Sequence, residues 1–378
     1  MKPGLSPDPA IALPAPGGSR WFFLAWVAGL LAPLLFSVPR LPHMQADVRA
    51  YWDAHWREAV QRKIDQPLLN LTTLYPPESN EAKRNFRLTV PVLARLSGLG
   101  YPATVAIRLG AWLALPALLL GLGRRAGLPP AAATALALAL LGTTLGTEVW
   151  RDDCLWFDNV AHTLLAVAML AESRWLIATA VVLATFTDER AFLVLPLVFG
   201  WHWLTASARG RKNAAGALAL GVSLALVLRA ALMLGAGLSL PLAKVATAQI
   251  LQRNLTLAPV AWWSAFEGGW LLLAAGFGGA WRAGFSGTLA VAAFGLAPLV
   301  ACLIVEDFSR SCAYAFPAVL CATALLARFA PARTPRLCVV AAGISLLAPN
   351  VLVSGMVQIE PPLPFWRTEI VFWPRSPA

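Results

Sequence analysis

Apolar residues in this chain come in long, nearly unbroken blocks and do not alternate with polar ones. The blocks fall at about 21–39, 101–122, 129–147, 157–171, 175–204, 214–236, 258–280, 286–305, 311–328 and 336–353. Their Leu, Ala and Val content predicts helices, since a membrane barrel would show short alternating strands. A helix needs roughly 20 apolar residues to cross a bilayer, and most blocks approach that length. The first block follows Arg20 and ends without a convincing small-residue cleavage site, so it reads as an uncleaved span, not a signal peptide.

The polar links between blocks form two alternating sets. One set is basic: Lys2 and Arg20, Arg124-Arg125, Arg174, Arg209 to Lys212, Arg282, and Arg333 to Arg336, with only Asp8 and Glu172 as acids. The positive-inside rule makes this set cytoplasmic. The other set carries Asp47, Asp53, Glu58, Asp65, Glu78, Glu81, Glu148, Asp152, Asp153, Asp158, Glu306 and Asp307, and is external. The block 175–204 has basic signals at both ends. As one helix it would be ~45 Å long, too much for a core of about 30 Å. Thr187-Asp188-Glu189-Arg190 lies in its middle, so it is expected to fold as a hairpin with those charges at the tip. Each arm then measures only ~20 Å. Short arms that bring charges below the outer surface imply a water-filled cavity there.

The expected fold is therefore all-α: a polytopic transmembrane bundle of about eleven segments (10–12), N-terminus in and C-terminus out. A cytoplasmic tail, 1–20, precedes a single membrane domain, 21–353. That domain contains a long external loop, 40–88, and an external Pro/aromatic tail, 354–378, follows it. No repeat suggests inverted transporter halves.

Composition agrees with this picture. Of 378 residues 58% are hydrophobic and 13% charged, which excludes an ordinary soluble enzyme and a disordered chain. The net charge of +11 is scattered through short loops, so it reports orientation and no nucleic-acid partner is expected. Five cysteines lie in or beside apolar blocks without ligand spacing, so neither a disulfide framework nor a zinc site follows.

Candidate chemistry gathers on the external links. Residues 46–60 read as an amphipathic helix in the outer interface, with Asp47 at its start. Asp47 suits a helix N-cap, and a carboxylate there could equally accept a proton from an incoming hydroxyl. Lys83, Arg84 and Arg87 share one helical side. They either snorkel to anionic headgroups or receive a lipid phosphate or diphosphate. Asp158 and His162 are four apart at the opening of a span, where such a pair makes a hydrogen bond between helices or lines a polar cavity. Asp188-Glu189-Arg190 is either a turn surfacing into water or a cavity-lining triplet for an anionic head or a metal. Asp307 and Arg310 can pair at i, i+3, as an interfacial anchor or as part of the same site. With only His43, His55, His162 and His202 a multi-histidine metal site is not expected, and an oxygen-ligated divalent cation (Mg or Mn) on aspartates stays open. No Gly-rich phosphate loop, nucleophile elbow or zinc motif is present.

The pattern resembles the GT-C-type membrane glycosyltransferases. The carriers are Ala46-Asp47 with Tyr51 and the Trp-rich stretch, Phe86-Arg87 with Pro91 and Leu93, Thr187-Asp188-Glu189-Arg190 in a hairpin, and Asp307, Arg310 and Phe316-Pro317. The order of the hairpin element differs from the Arg-Glu-Thr-like one common in that superfamily. The resemblance implies a sugar donor on a polyprenyl phosphate or diphosphate and a glycan, lipid or protein acceptor on the external face. It also implies Asp47 as general base or as orienter of a divalent ion, with Arg84, Arg87, Arg190 and Arg310 neutralising the leaving phosphate. Two other functions fit the same polar links: a transporter or flippase of a lipid-linked or anionic substrate, and a non-catalytic membrane scaffold.

Overall fold

The computed structural model describes residues 23–24, 26–29, 31, 56–76, 79, 81–151, 156–239, 248–305, 307–353, 357–360 and 370–372. It is helical almost throughout. Among the described residues three stretches are long and apolar enough to cross a membrane: Tyr101–Arg125, Ala208–Gly235 and Phe308–Phe329. The remaining apolar helices are shorter, so eleven full crossings do not emerge from helix length.

Helix α1 is Trp56–Asp65, in the long first loop. Short helix α2 (Thr89–Leu96) leads to α3 (Tyr101–Arg125), which opens after Gly100 at φ 60° with Pro102 in its first turn. Then come α4 (Pro130–Leu141), α5 (Thr144–Arg151) and α6 (Asp158–Leu170). Helices α7 (Arg174–Thr187) and α8 (Ala191–Thr205) form the expected hairpin, broken at Asp188–Arg190. Their far ends border one cavity, lined in part by Ile177 and His202. Helix α9 (Ala208–Gly235) is the longest among the described residues, at 28 residues or ~42 Å. Ser207 caps it, its Oγ accepting from Gly210 N at 3.3 Å. Helix α9 leaves Leu226, Val227 and Leu234 on its exposed face, Leu234 at 90%. An apolar face of that length suits lipid and not water.

The second half departs from the block pattern. Block 258–280 is not one helix: α10 (Ala248–Phe266) ends and α11 (Gly269–Arg282) begins at Glu267, φ 44°, and Gly268. A side chain at Gly268 would put Cβ 1.9 Å from Ala341 O, so only glycine allows this approach. Block 311–328 likewise divides into α13 (Phe308–Ala313) and α14 (Phe316–Phe329), after α12 (Thr288–Ala301). Block 129–147 divides at Gly142, whose Cβ position lies 2.9 Å from Ser345 O. Block 336–353 ends in a strand: α15 (Thr334–Leu347) is followed by β1 (Asn350–Val353). Strands β2 (Val357–Glu360) and β3 (Ile370–Phe372) complete a small antiparallel sheet, with Asn350 opposite Glu360 and Val357 opposite Phe372. The helical expectation holds, with the addition of that small sheet, which occupies part of the supposed tail. Period-2 patterning over four residues is too short to stand out beside an apolar block.

One large core unites α3 to α8 with α14, built mainly from Leu, Ala and Val. Small residues let the helices approach closely: a Cβ on Gly276 would fall 2.1 Å from Ala322 O. The first block packs here too, Trp26 Nε1 donating to Leu113 O at 2.8 Å.

Candidate functional site

The long first loop is a built structure, and it aims the first arginines. Lys63 of α1 is buried and donates through Nζ to Pro67 O (2.9 Å), Leu69 O (2.9 Å) and Asn85 O (3.0 Å). Burial pushes its amine down to about 7. Asn85 continues the tie. Its Oδ1 accepts from Leu71 N at 2.7 Å, and its Nδ2 donates to Asn70 Oδ1 and Ser239 O. The loop is thereby fixed to the chain that follows α9. Beyond it, Leu88 N donates to Phe186 O (2.8 Å) and Thr89 Oγ1 to Leu183 O (2.7 Å), which lays Arg87 against the end of α7.

There the α7–α8 turn presents its charges. Asp188 Oδ1 accepts from the Arg190 backbone N–H at 2.8 Å, an Asx-type closure of the break. The Arg190 side chain folds back on the same carboxylate, Nε to Oδ1 at 2.8 Å and Nη2 to Oδ2 at 2.7 Å. Arg87 joins from α2's side, Nη1 lying 2.8 Å from Asp188 Oδ2 and Nη2 donating to Glu189 Oε1 at 3.0 Å.

Asp158 is the centre. Phe157 before it stands at φ 65°, a left-handed conformation rare for an aromatic residue, and swings the chain so that Trp156 and Asp158 both turn inward. Asp158 is fully buried. Its Oδ1 accepts from Arg190 Nη2 (2.7 Å) and Tyr314 OH (3.2 Å), and its Oδ2 accepts from Arg310 Nε (2.9 Å) and Nη2 (2.6 Å). Arg310 also meets Glu148 Oε1 at 3.0 Å and Asp307 Oδ2 at 3.4 Å. Arg190 Nη1 donates to Ser311 Oγ at 2.9 Å. Trp156 is the aromatic floor: the guanidinium carbons of Arg84, Arg87 and Arg310 lie 4.3, 4.6 and 5.6 Å from its ring centre.

The sequence-derived candidates thus divide as follows. Arg87, Asp158, Asp188, Glu189, Arg190, Asp307 and Arg310 form one connected network, and Arg84 joins it over Trp156. His162 lies one turn along α6, its ring 4.4 Å from that of Tyr314. Of the pair, Asp158 makes hydrogen bonds to other helices, whereas neither ring nitrogen of His162 has a hydrogen-bond partner among the described residues. Asp47 lies outside the described residues. Glu148, Trp156, Ser311 and Tyr314 were not singled out from sequence. Glu148 carried a signal, as an acid beside an apolar block, whereas the aromatic pair carried none. Arg229, about two turns before the end of α9, is a further cation and is half-buried. It stacks on Phe86, Phe186 and Phe192 and donates to Thr185 O at 2.6 Å.

Electrostatically the network is nearly balanced, four arginines against five carboxylates. Its interior acids are fully buried, while the side chains at its rim are not: Glu189 is 50% and Asp307 28% exposed. No group of three or more His, Cys, Asp or Glu suited to a metal ion occurs among the described residues. Both oxygens of Asp158 are already held by guanidiniums, so this aspartate does not fit the divalent cation left open by the sequence. Comparison with protein-family models, curated proteins and solved structures gives no match.

Proposed function

We propose that this chain is an integral-membrane glycosyltransferase of the GT-C kind, transferring a sugar from a polyprenyl-phosphate donor to an acceptor on the external face of the plasma (inner) membrane. The observation that carries the reading is the buried network in which Arg87, Arg190 and Arg310 meet at one end of the bundle. Arginine suits phosphate because its planar fork matches two oxygens at once. In the reaction the acceptor hydroxyl loses its proton to Asp47 and its oxygen bonds the anomeric carbon. The bond from that carbon to the phosphate oxygen breaks with its electron pair on the phosphate. A fixed guanidinium stabilises that developing charge best where water is excluded.

The resting pairs favour some arginines over others as partners of the phosphate. An incoming anion must displace a carboxylate, and the displaced group needs water. Glu189 and Asp307 have it, whereas Asp158 and Asp188 do not. Arg87 and Arg310 are therefore the phosphate-facing pair, and Arg190 holds the frame. The test is turnover in nanodiscs with a polyprenyl-phosphate sugar, reading release of the lipid phosphate. Turnover by the wild type and its loss in Asp47→Asn is expected; an Asp47→Asn variant as active as wild type overturns the base assignment. The charge balance also favours a second reading, a non-catalytic scaffold locked by its ion pairs. It predicts no lipid-phosphate release by any preparation and no response of Arg87 variants except in stability.

A further inference from the structure

We propose that a second site lies at the opposite end of α6, α7 and α8, a basic cavity that binds the phosphate of an anionic phospholipid headgroup. The cavity has a volume of about 1010 Å³ and is lined by Arg124, Arg125, Arg209 and Lys212, with Glu172 as its one carboxylate. Arg124 and Arg125 at the end of α3 are half-buried and pinned, Nη1 of each donating at 2.7 Å to Leu128 O and Leu170 O respectively. Cations at a helix C-terminus complement the helix dipole, so this pair has a structural reason to be there.

Arg209 and Lys212 lack that reason. They stand in the first turns of α9, which holds no acid, where the positive end of the dipole disfavours cations. Both are exposed, and no ion pair holds them among the described residues. The orientation rule accounts for their sign but not for their gathering with two pinned arginines around one hollow. Glu172 is itself exposed and its backbone O accepts from Asn213 Nδ2 at 2.8 Å, which fixes the wall between α7 and α9. Four cations, one acid and a helix N-terminus around a cavity make a receptor for phosphate. On the orientation that the basic links imply, the cavity opens at the headgroups of the cytoplasmic leaflet, and a free phosphate anion is the other source of the same chemistry.

The test is native mass spectrometry of the full chain released from detergent, titrated with phosphatidylglycerol, phosphatidylcholine or inorganic phosphate. The variant is Arg209→Ser with Lys212→Ser, both exposed and outside the core, and the control is Arg282→Ser, an exposed cation outside the cavity. The wild type and the control should retain one phosphatidylglycerol, and the variant should bind it about 30-fold more weakly. Phosphatidylcholine should not be retained. Saturable inorganic phosphate binding that the same variant loses supports the site with a soluble source. Equal retention of both lipids, or equal losses in variant and control, overturns it.

Discussion

Replacing Asp158 by Asn tests the centre of the network. The substitution keeps size and one carbonyl oxygen but removes the charge that four donors share: Arg190 Nη2, Arg310 Nε and Nη2, and Tyr314 OH. Arg190 is left with Asp188, and Arg310 with Glu148 and Asp307. Breaking one buried ion pair by removing a partner costs about 3–5 kcal/mol. Two arginines lose a partner here, though each keeps another carboxylate, so a loss of about 3–4 kcal/mol is expected. Against a typical stability of about 5–15 kcal/mol the variant stays largely folded. The assay is reversible denaturant unfolding in mixed micelles, run as a cycle with Arg310→Met and the double variant. A coupling of about 2–3 kcal/mol is expected, since two hydrogen bonds join the two residues. Raising the salt should change it little, because buried pairs are weakly screened. A single-variant loss below about 1 kcal/mol, with coupling inside the roughly 0.5 kcal/mol seen for independent sites, would refute the claim that this carboxylate holds both arginines.

Trp156→Leu removes the floor under three guanidiniums and should cost about 2–4 kcal/mol by the same unfolding measurement, while Trp156→Phe should recover about half; equal losses would show that size and not the aromatic face matters. Lys63→Met strips the donor from three carbonyls, of which the buried Asn85 O left unsatisfied costs about 1–3 kcal/mol and the part-buried Pro67 O and Leu69 O less, so loop 66–88 should be cut by protease faster while the helices stay intact. In the opened loop the Lys63 amine keeps its proton up to 10.5, but in the closed loop only up to about 7. Opening therefore takes up a proton between those values, and loop closure should strengthen as pH rises through that window; proteolytic protection that falls from pH 7 to 10 would contradict it. Gly276→Ala should lower the melting temperature, with an overpacking cost of about 1–3 kcal/mol against Ala322 O. Gly278→Ala in the same helix meets nothing within 4 Å and should be neutral or stabilising, and a reversed order would refute the close-approach argument.

Particular residues show what the sequence could and could not carry. The α7–α8 break was legible because three ionisable residues interrupt an apolar block too long for one crossing. The α10–α11 break was not, because it depends on the carbonyl of Ala341 arriving from another helix, and Glu267-Gly268 alone is a weak signal. The same contrast holds in the site. Buried ionisable residues announce themselves by their expense, so Asp158, Asp188, Arg190 and Arg310 could be named in advance. Trp156 and Tyr314 could not, since aromatic residues are ordinary in an apolar chain and only packing makes one a platform for arginine. Partner choice was also hidden. Spacing predicts Asp307 with Arg310, and the two do meet at 3.4 Å. The shorter contact of Arg310, 2.6 Å, is to Asp158, 152 residues away.

The polar groups occupy the two ends of the same three helices, and helix length explains why. Helices α6, α7 and α8 have 13, 14 and 15 residues, or about 20–22 Å each, against a hydrocarbon core of about 30 Å. In a bilayer such helices cannot keep both ends at the headgroups. The longer α3 and α9, which pack beside them, have the length to reach both surfaces. The shortfall must then be filled at the ends of α6, α7 and α8 by polar protein and water, since lipid-facing loops cannot satisfy their backbone there. At one end ion pairs fill it, with Glu189 and Asp307 on the wet rim and Asp158 beneath them. At the other end the space is a cavity walled by cations. Lengthening α7 and α8 by a turn each would remove the need for charge at their tip. The brevity of these helices and the placing of the network are therefore one property of the fold.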